Sequence, residues 1–302
     1  MIYLKPDSLT ILLYHGVTKV KGYGIENLSE KHMGAKKFAE QMKFLKDSGD
    51  ISVVSMYDVI DIYKKNKKIK GKLVAITFDD GFENNYSVAA PILDDYGLKA
   101  TFYVSVGIIN TNMMFWVDDL ESFINFSKNK NLNVRMNNQD NVFYLQNKKE
   151  KYNTLVDIKK YCKSCSVQEK DIIMYQIQSQ TKVINTIDYS LNYKKLTWRQ
   201  LREMHSNSLF CIGGHGLYHD ILSKLDKSRM EDEISLSIGM LNYNLNTKID
   251  HYSYPEGTLD TFNDDVIFAL KQNNIKCCPS AIFGFNSDTN LFTLNRNIIG
   301  MK

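Results

Sequence analysis

The chain has 302 residues, of which 43% are hydrophobic and 24% are charged, a composition typical of a globular protein. At this length one large α/β domain or two smaller domains can bury enough apolar surface to fold without disulfides or structural metals. The net charge of +4 does not indicate nucleic-acid binding, and the odd number of cysteines, five, does not indicate a disulfide framework.

Strand-like and helix-like segments alternate along the first hundred residues. Apolar runs predict strands, and apolar side chains at helical spacing predict the helices between them. The predicted strands are Leu9–Tyr14, Ile51–Val54, Leu73–Phe78 and Ala100–Ser105, and the predicted helices are residues 34–48, Met56–Tyr63 and a segment ending near Tyr96.

The same alternation resumes after about residue 196. It predicts a strand at Leu209–Gly213, a helix near 228–245, a strand at His251–Tyr254, a helix at 262–273 and two final short strands. Repeated strand–helix units indicate a parallel sheet or barrel, whose functional face lies at the carboxyl ends of its strands.

Residues 110–196 differ in composition, because they are rich in Asn, Lys and Gln. We interpret them as a mostly helical insertion with a small strand at Val142–Leu145. We expect this insertion to cap the barrel mouth and to influence substrate choice. It contains one C-x-x-C pair, Cys162 and Cys165, which lacks the second pair of a zinc site and is interpreted as free thiols.

Two neighbouring carboxylates follow the predicted strand Leu73–Phe78. Asp79 and Asp80 are followed by Gly81, and a glycine turn at a strand end can direct both side chains into one pocket. Such a pair suits a division of labour in which one carboxylate binds a cation and the other accepts a proton. On its own, the run could equally be an Asp-Asp-Gly turn that closes the strand.

A histidine pair follows another predicted strand. His215 and His219 are four residues apart, so a helical turn starting there would place both imidazoles on one face. Two histidines and one carboxylate are a common ligand set in hydrolytic metal sites. An isolated H-x-x-x-H is a weak signal, but two such motifs at the carboxyl ends of strands in one α/β array strengthen the metal hypothesis.

The segment Val74–Tyr86 (VAITFDDGFENNY), together with His215 and His219, resembles the polysaccharide deacetylase family, the fourth carbohydrate esterase family. The resemblance covers about residues 8–108 and 196–300. It implies a distorted (β/α) barrel and a single catalytic domain over residues 1–302 with the insertion as its cap. It further implies that Asp79 is the general base and that Asp80, His215 and His219 bind the metal.

One family motif is altered in this chain. The family has Arg-x-Pro-aromatic-Gly where this chain has Ser253-Tyr254-Pro255-Glu256-Gly257, so Ser253 stands in place of the arginine. The turn is retained, and Tyr254 and a backbone N–H near Glu256 are the candidate oxyanion and substrate contacts. Arg296 is a candidate replacement for the arginine that orients Asp79, and the alternative is a structural role at the surface.

The family's usual late Leu-x-His is missing, because no histidine follows His251. The run Leu12–Val17 (LLYHGV) resembles the N-terminal Tyr-His motif of a branch represented by biofilm poly-N-acetylglucosamine deacetylases. That resemblance makes His15 the general acid, and the alternative is a hydrogen-bonded histidine at the barrel rim. His32, His205 and His251 lack such context and are expected to be surface or packing residues.

Two tryptophans remain. Trp116, at the start of the insertion, is a candidate for stacking on a sugar ring, whereas Trp198 is expected to lie in the core.

Together these residues predict a metal-dependent hydrolase that removes an N-acetyl group from an amino sugar or glycan precursor. The ligand set favours one zinc ion, with cobalt, nickel or iron as alternatives. Hydrolysis of a formamide, a cyclic imide or an O-acetyl ester on the same scaffold remains an alternative, and so does an inactive glycan-binding relative.

The location of the protein is predicted from its first residues and its apolar runs. The start of the chain is interrupted by Lys5 and Asp7 and does not resemble a signal peptide. No run reaches the roughly 18 apolar residues of a transmembrane helix. We therefore expect cytoplasmic residence.

Overall fold

The computed structural model describes residues 2–65, 67–184, 190–287 and 290–300. These residues divide into two compact units. Unit 1 contains residues 1–19, 29–111 and 195–302, and unit 2 contains residues 20–28 and 112–194.

Unit 1 alternates strands and helices on both sides of the insertion. Before it lie β1 (Ser8–Tyr14), β2 (Gly16–Thr18), β3 (His32–Gly34), α1 (Ala35–Asp47), β4 (Ile51–Val54), α2 (Met56–Lys64), β5 (Lys72–Phe78), a π-helix (Asn85–Ala89), α3 (Ala90–Asp95), β6 (Ala100–Val104) and a 3₁₀ turn (Val106–Ile108). The elements of unit 2 are α4 (Trp116–Phe126), β7 (Asn131–Met136), β8 (Gln139–Tyr144), α5 (Lys148–Ser164), α6 (Val167–Thr181) and a 3₁₀ turn (Leu191–Tyr193). Unit 1 then continues with α7 (Trp198–Ser206), β9 (Phe210–Gly214), a 3₁₀ turn (Leu222–Lys224), α8 (Lys227–Leu245), α9 (Asp264–Gln272) and β10 (Asn297–Ile298).

The main sheet of unit 1 is parallel, with the strand order β10-β1-β5-β6-β9, and β4 also pairs with β5. Tyr14 is in register with Phe78, so β1 and β5 end side by side. Because carboxyl ends of parallel strands share one edge, the residues that follow β1, β5 and β9 come together there.

Backbone hydrogen bonds continue this sheet into a closed ring. Parallel bridges join Gly214 to Tyr252 and His251 to Cys277. Beyond them, the Ser280 N–H donates to the Leu294 carbonyl and the Arg296 N–H donates to the Ile282 carbonyl. β10 then pairs with β1 and completes the circuit. This arrangement confirms the predicted α/β fold, a distorted barrel.

Side chains of the ring alternate between its interior and the surrounding helices, as strand geometry requires. On β5, Ile76 and Phe78 belong to the main apolar core with the helices, whereas Ala75 belongs to an inner cluster with Tyr103. The positions that share the inward face with Ala75 are Thr77 and, just past the strand, Asp79. The pleat of β5 therefore directs Asp79 toward the barrel axis.

Unit 2 has its own apolar core, between α4, α5, α6 and the antiparallel hairpin β7–β8. The segment 20–28 joins it through Asn125, which accepts the Ile25 N–H at 2.9 Å and donates to the Tyr23 carbonyl at 2.9 Å. Its helices agree with the predicted mostly helical character, and the strand predicted at Val142–Leu145 overlaps the end of β8, which begins earlier, at Gln139, and ends at Tyr144. The sequence did not indicate that residues 20–28 belong to this unit.

The structure corrects some predicted elements. The strand predicted at His251–Tyr254 consists of isolated bridges only, and of the two final strands the described residues contain β10. The helix after β5 opens with a π-helical turn, a feature common at functional sites. None of the helices in the described ranges combines the length and the apolar composition that a membrane span requires.

Candidate metal centre

Asp79 and Asp80 lie where β5 ends beside β1. The Asp79 N–H donates to the Tyr14 carbonyl at 3.0 Å, which fixes the first carboxylate to the neighbouring strand end. Asp80 has a φ of +82° and Gly81 a φ of +81°. A Cβ at Gly81 would lie 2.6 Å from the Val104 side chain, so glycine is needed both for conformation and for space. This left-handed turn lets the two adjacent carboxylates take different directions.

Asp80 faces the two histidines. Its Oδ1 lies 3.6 Å from His215 Nε2 and 3.4 Å from His219 Nε2. Among the described residues these three form the one group of His, Cys, Asp or Glu whose ligand atoms all lie within 4.8 Å of one another. Two ligand atoms bound to the same tetrahedral zinc ion, each at about 2.1 Å, would be about 3.4 Å apart.

The donor atoms of this cluster also fit a cation chemically. Within the described ranges, Asp80 Oδ1 is buried without a hydrogen-bond partner, and such an atom calls for an ion or water. His215 Nδ1 lies 2.9 Å from the Ser253 carbonyl, an acceptor only, so Nδ1 carries the proton and the Nε2 lone pair faces Asp80. Asp80, His215 and His219 can therefore hold one divalent metal ion.

The backbone between the histidines is not helical, which corrects the predicted helical turn. β9 ends at Gly214, and Gly216 and His219 have φ values of +81° and +63°. The two imidazole centroids are nevertheless 4.9 Å apart, because the loop folds back instead of winding. A left-handed non-glycine residue is strained, and His219 shares this feature with Asp80 and with Glu256, whose φ is +61°.

Arg296 binds both oxygens of the Asp79 carboxylate. Its Nη1 donates to Asp79 Oδ1 at 2.8 Å and its Nη2 donates to Asp79 Oδ2 at 2.7 Å, a bidentate pair. Its remaining donors reach the Ser280 carbonyl, Thr77 Oγ1 and Ser253 Oγ. Arg296 is fully buried, so the alternative of a surface role is wrong.

Ser253 contacts both Asp79 and Arg296. Its hydroxyl donates to Asp79 Oδ2 at 3.2 Å and accepts from Arg296 Nη2 at 2.7 Å. The position where the family has arginine is therefore occupied by a small side chain, and a guanidinium from another part of the chain lies against it.

The charges of the site shift its pKa values. Burial alone would raise the pKa of Asp79, but Arg296 and His215 outweigh it and the pKa lies below its ordinary value. Burial likewise acts to raise the pKa of Asp80, yet His215 and His219 hold that pKa well below the usual range. Burial lowers the pKa of His215, but Asp79 and Asp80 outweigh it and raise that pKa. Both carboxylates are thus ionised at neutral pH.

His15 follows β1 at the same edge of the barrel. Its carbonyl accepts the Asn85 Nδ2–H at 2.7 Å, and its Nδ1 is buried with no hydrogen-bond partner among the described residues. Burial lowers the pKa of His15, while Asp80 and Asp79 act in the opposite direction. The structure therefore brings His15 into the electrostatic neighbourhood of both carboxylates.

Sequence reasoning missed part of this neighbourhood. His32, expected to be an ordinary packing residue, lies 2.9 Å from Asn84 through its Nδ1 and packs directly on Gly16. Asn84 and Asn85 follow the Asp-Asp-Gly run almost immediately, so their position was a usable signal. Nothing in the local sequence around His32 signals its position, because β2 and β3 bring it there from a distance.

The three aromatic residues considered from the sequence, Tyr254, Trp116 and Trp198, lie in different parts of the structure. The Tyr254 side chain is fully buried, stacks on Phe262 and donates to the Phe292 carbonyl, and its contact with substrate stays a prediction. Trp116 lies in unit 2, where its half-buried ring packs against that unit's core near Lys170, and its sugar contact stays a prediction. Trp198 is half-buried against the main core.

The fold and this site define a class: an α/β barrel with a carboxylate–histidine cluster that can hold a metal ion at the carboxyl ends of its strands. The family model for polysaccharide deacetylases matches residues 66–278. The chain therefore belongs to the polysaccharide deacetylase family.

Individual relatives agree with this assignment. YxkH of Bacillus subtilis (strain 168), which carries a polysaccharide deacetylase name, is 34% identical over 100 residues, and the match spans 33% of each protein. The deacetylase PplD of Streptococcus pyogenes, solved with acetate, has a TM-score of 0.63 at 20% identity, covering 98% of this chain and 93% of PplD. IcaB of Ammonifex degensii has a TM-score of 0.63 at 16% identity, covering 99% of this chain and 94% of IcaB. At these identities the two structures show the shared fold.

Proposed function

We propose that this protein is a metal-dependent hydrolase that removes an N-acetyl group from an amino sugar or a glycan precursor. The observation that carries the proposal is the pairing of two adjacent carboxylates with different partners: Asp80 with two histidines, and Asp79 with a buried arginine. PplD, whose fold this chain shares, is a deacetylase solved with acetate, which supports acetyl transfer to water as the reaction.

Asp80, His215 and His219 would hold the cation. When bound, a divalent metal ion, most suitably zinc for two histidines and one carboxylate, supplies polarisation of the acyl carbonyl and a lower pKa for water. The protein contributes the orientation of these ligands. The Ser253 carbonyl fixes the tautomer of His215, and the Asp80 turn places its Oδ1 between the histidines.

Asp79 is proposed as the general base. A base must be ionised and must have a lone pair aimed at the attacking water. Arg296 and Ser253 support the first condition by stabilising the carboxylate. They also fix both of its oxygens in one orientation, and we propose that a remaining lone pair of this carboxylate faces the water. The replacement of the motif arginine by Ser253 does not favour an inactive relative, because Arg296 occupies the corresponding contact.

The developing negative charge and the leaving amine need partners of their own. We propose that a backbone N–H of the strained turn at Glu256 donates to the oxyanion, since preorganised donors stabilise the charge that develops in the transition state. We propose that His15 protonates the leaving nitrogen, as in the branch with an N-terminal Tyr-His motif. Two observations support this role. His15 follows β1, which ends beside the strand that precedes Asp79, and its Nδ1 has no hydrogen-bond partner among the described residues.

The reaction is tested by measuring product release from a panel of N-acetylated sugar nucleotides and oligosaccharides with zinc-loaded protein. Acetate release by the wild type that falls by about 10²–10⁴-fold in Asp79→Asn is the expected result. Hydrolysis confined to a formamide, a cyclic imide or an O-acetyl ester would replace the proposed reaction by that one. Metal binding without turnover on any of these compounds would make the protein a binding module.

The role of His15 is tested separately with His15→Ala, using His205→Ala, a half-buried histidine outside the site, as the matched control. Loss of a positioned acid should lower kcat by about 10²–10⁴-fold. Zinc content should stay at the wild-type level, and the alkaline limb of the pH profile should disappear. Wild-type turnover with the alkaline limb intact would place the acid elsewhere, and loss of zinc would make His15 part of the metal site.

A further inference from the structure

The loop that carries both histidines is held by a residue outside the site. Glu233 lies on the inward face of α8, between Met230, Ile234 and Ser237, and is 6% exposed. A glutamate is rarely so buried, and an apolar residue would be expected at this helical spacing. A carboxylate buried at this position needs polar partners inside the protein.

The Glu233 carboxylate accepts hydrogen bonds from two backbone N–H groups of the loop that carries His215 and His219. Glu233 Oε1 accepts the Leu217 N–H at 2.9 Å and the Tyr218 N–H at 3.0 Å. These amides lie between His215 and His219, in the loop that the left-handed residues Gly216 and His219 keep from becoming helical. Since no helix forms there, the loop's amides need acceptors from elsewhere, and a buried amide left without one is costly.

The opposite side of the loop is fixed as well. The carbonyls of Gly216 and Leu217 accept the N–H groups of Val106 and Gly107 at 3.0 and 2.9 Å. The Ser105 hydroxyl donates to the His215 carbonyl at 2.8 Å. Those contacts tie the loop's carbonyls to the end of β6, and Glu233 is the contact that ties its N–H groups to α8.

We propose that Glu233 is a positioning residue for the metal centre, which holds the loop between His215 and His219 in the shape that brings both imidazoles to Asp80. It touches neither the substrate nor the ligand atoms and acts through the backbone. The inference rests on the proposed function, in that it takes Asp80, His215 and His219 as the ligands. Removal of supporting contacts around metal ligands typically weakens metal affinity by about 10- to 100-fold.

The test compares zinc affinity, measured by competition with a chromogenic chelator, for the wild type, Glu233→Gln, Glu233→Asp and Glu233→Met. Gln keeps an acceptor oxygen at the same reach, so Glu233→Gln should retain most of the affinity. Asp keeps the charge but withdraws the oxygen by one methylene, and Met fills the space without an acceptor. Both of these should bind zinc about 10- to 100-fold more weakly. Glu231→Gln on the exposed face of α8 is the matched control and should bind as the wild type does.

Each outcome decides a different point. Weak binding by Glu233→Asp and Glu233→Met with binding retained by Glu233→Gln supports the positioning role. Wild-type affinity in Glu233→Asp or in a folded Glu233→Met would overturn it. Weak binding by Glu233→Gln and Glu233→Met with wild-type binding by Glu233→Asp would indicate a purely electrostatic effect instead. The apo-protein melting temperature of each variant separates these results from misfolding. The absence of zinc binding in the wild type would instead refute the metal centre of the proposed function.

Discussion

Two adjacent layers of the barrel interior differ in whether their buried polar groups are charged and paired or neutral and unpaired. In the layer at the carboxyl ends of the strands, Asp79 and Arg296 are both charged and fully paired. In the neighbouring layer, where the centroid of the Tyr103 ring lies 5.7 Å from Arg296 Cζ, both ring nitrogens of His251 and the Tyr103 hydroxyl are buried without a hydrogen-bond partner among the described residues. Similar burial therefore keeps charge in one layer and suppresses it in the other.

The pKa values follow the same division. Arg296 and His215 hold the pKa of Asp79 below its ordinary value in spite of burial. For His251, which packs between Tyr57 and Tyr103, burial outweighs the opposing charge of Asp250 and lowers the pKa from 6.5 to about 4. The difference indicates that a buried group keeps its charge where its counter-charges outweigh the effect of burial, as they do for Asp79 at the site.

The largest expected loss of stability comes from removing the positive charge of Arg296, which pairs with Asp79. Arg296→Met leaves the Asp79 carboxylate buried and unpaired, which should lower the free energy of unfolding by about 3–5 kcal/mol. Urea denaturation at pH 7 measures this loss, with Arg199→Met at an exposed ion pair as the control. Adding Asp79→Asn to Arg296→Met should recover part of the loss. A loss no larger than in the Arg199 control would show that the pair does not hold the layer together.

The neutral state of buried His251 predicts that acid lowers the stability of the fold. The pKa of His251 is lower in the folded state than in the unfolded state. Between pH 6.5 and about 4 the unfolded chain therefore takes up a proton that the folded chain does not. Stability should fall as the pH drops through this window, by up to about 3 kcal/mol for a shift of this size.

His251→Leu isolates that contribution. All other groups titrate in both proteins, so the difference in unfolding free energy between pH 7 and pH 4.5 should be smaller for His251→Leu than for the wild type. Chemical denaturation at the two pH values measures it. Equal pH dependence in the two proteins would mean that His251 is not kept neutral by burial.

A smaller loss of stability and activity is expected from a substitution of Ser253. Ser253→Ala removes one hydrogen bond from Asp79 and one acceptor from Arg296 but leaves the bidentate pair intact. The free energy of unfolding should fall by about 1 kcal/mol. Turnover should fall less than in Asp79→Asn, because the carboxylate keeps its main partner. Turnover as low as in Asp79→Asn would show that the serine, and not the arginine, orients the base.

The two layers also differ in how far the sequence predicts them. Asp79 and Asp80 follow an apolar strand directly, and a contiguous run of this kind can be recognised without knowledge of the fold. The spacing of His215 and His219 was recognisable too, although their loop was predicted wrongly, because Gly216 and His219 adopt left-handed conformations that spacing does not reveal.

Contacts between distant parts of the chain account for what the sequence could not show. Arg296 reaches Asp79 across 217 positions, and only closure of the barrel brings them together. The sequence identified Arg296 as a candidate partner of Asp79 but could not show whether its side chain is buried or at the surface. The neutral burial of His251 depends on Tyr57 and Tyr103 from two other segments, and the histidine by itself gave no sign of it.

The division of labour between Asp79 and Asp80 is the central claim, and parallel measurement of bound zinc and acetate release for Asp79→Asn and Asp80→Asn tests it most directly. Asp80→Asn should lose both the metal and the activity. Asp79→Asn should keep zinc at the wild-type level while turnover falls by about 10²–10⁴-fold. Loss of zinc from Asp79→Asn, or wild-type zinc in Asp80→Asn, would contradict the assignment of one carboxylate to the metal and the other to the proton.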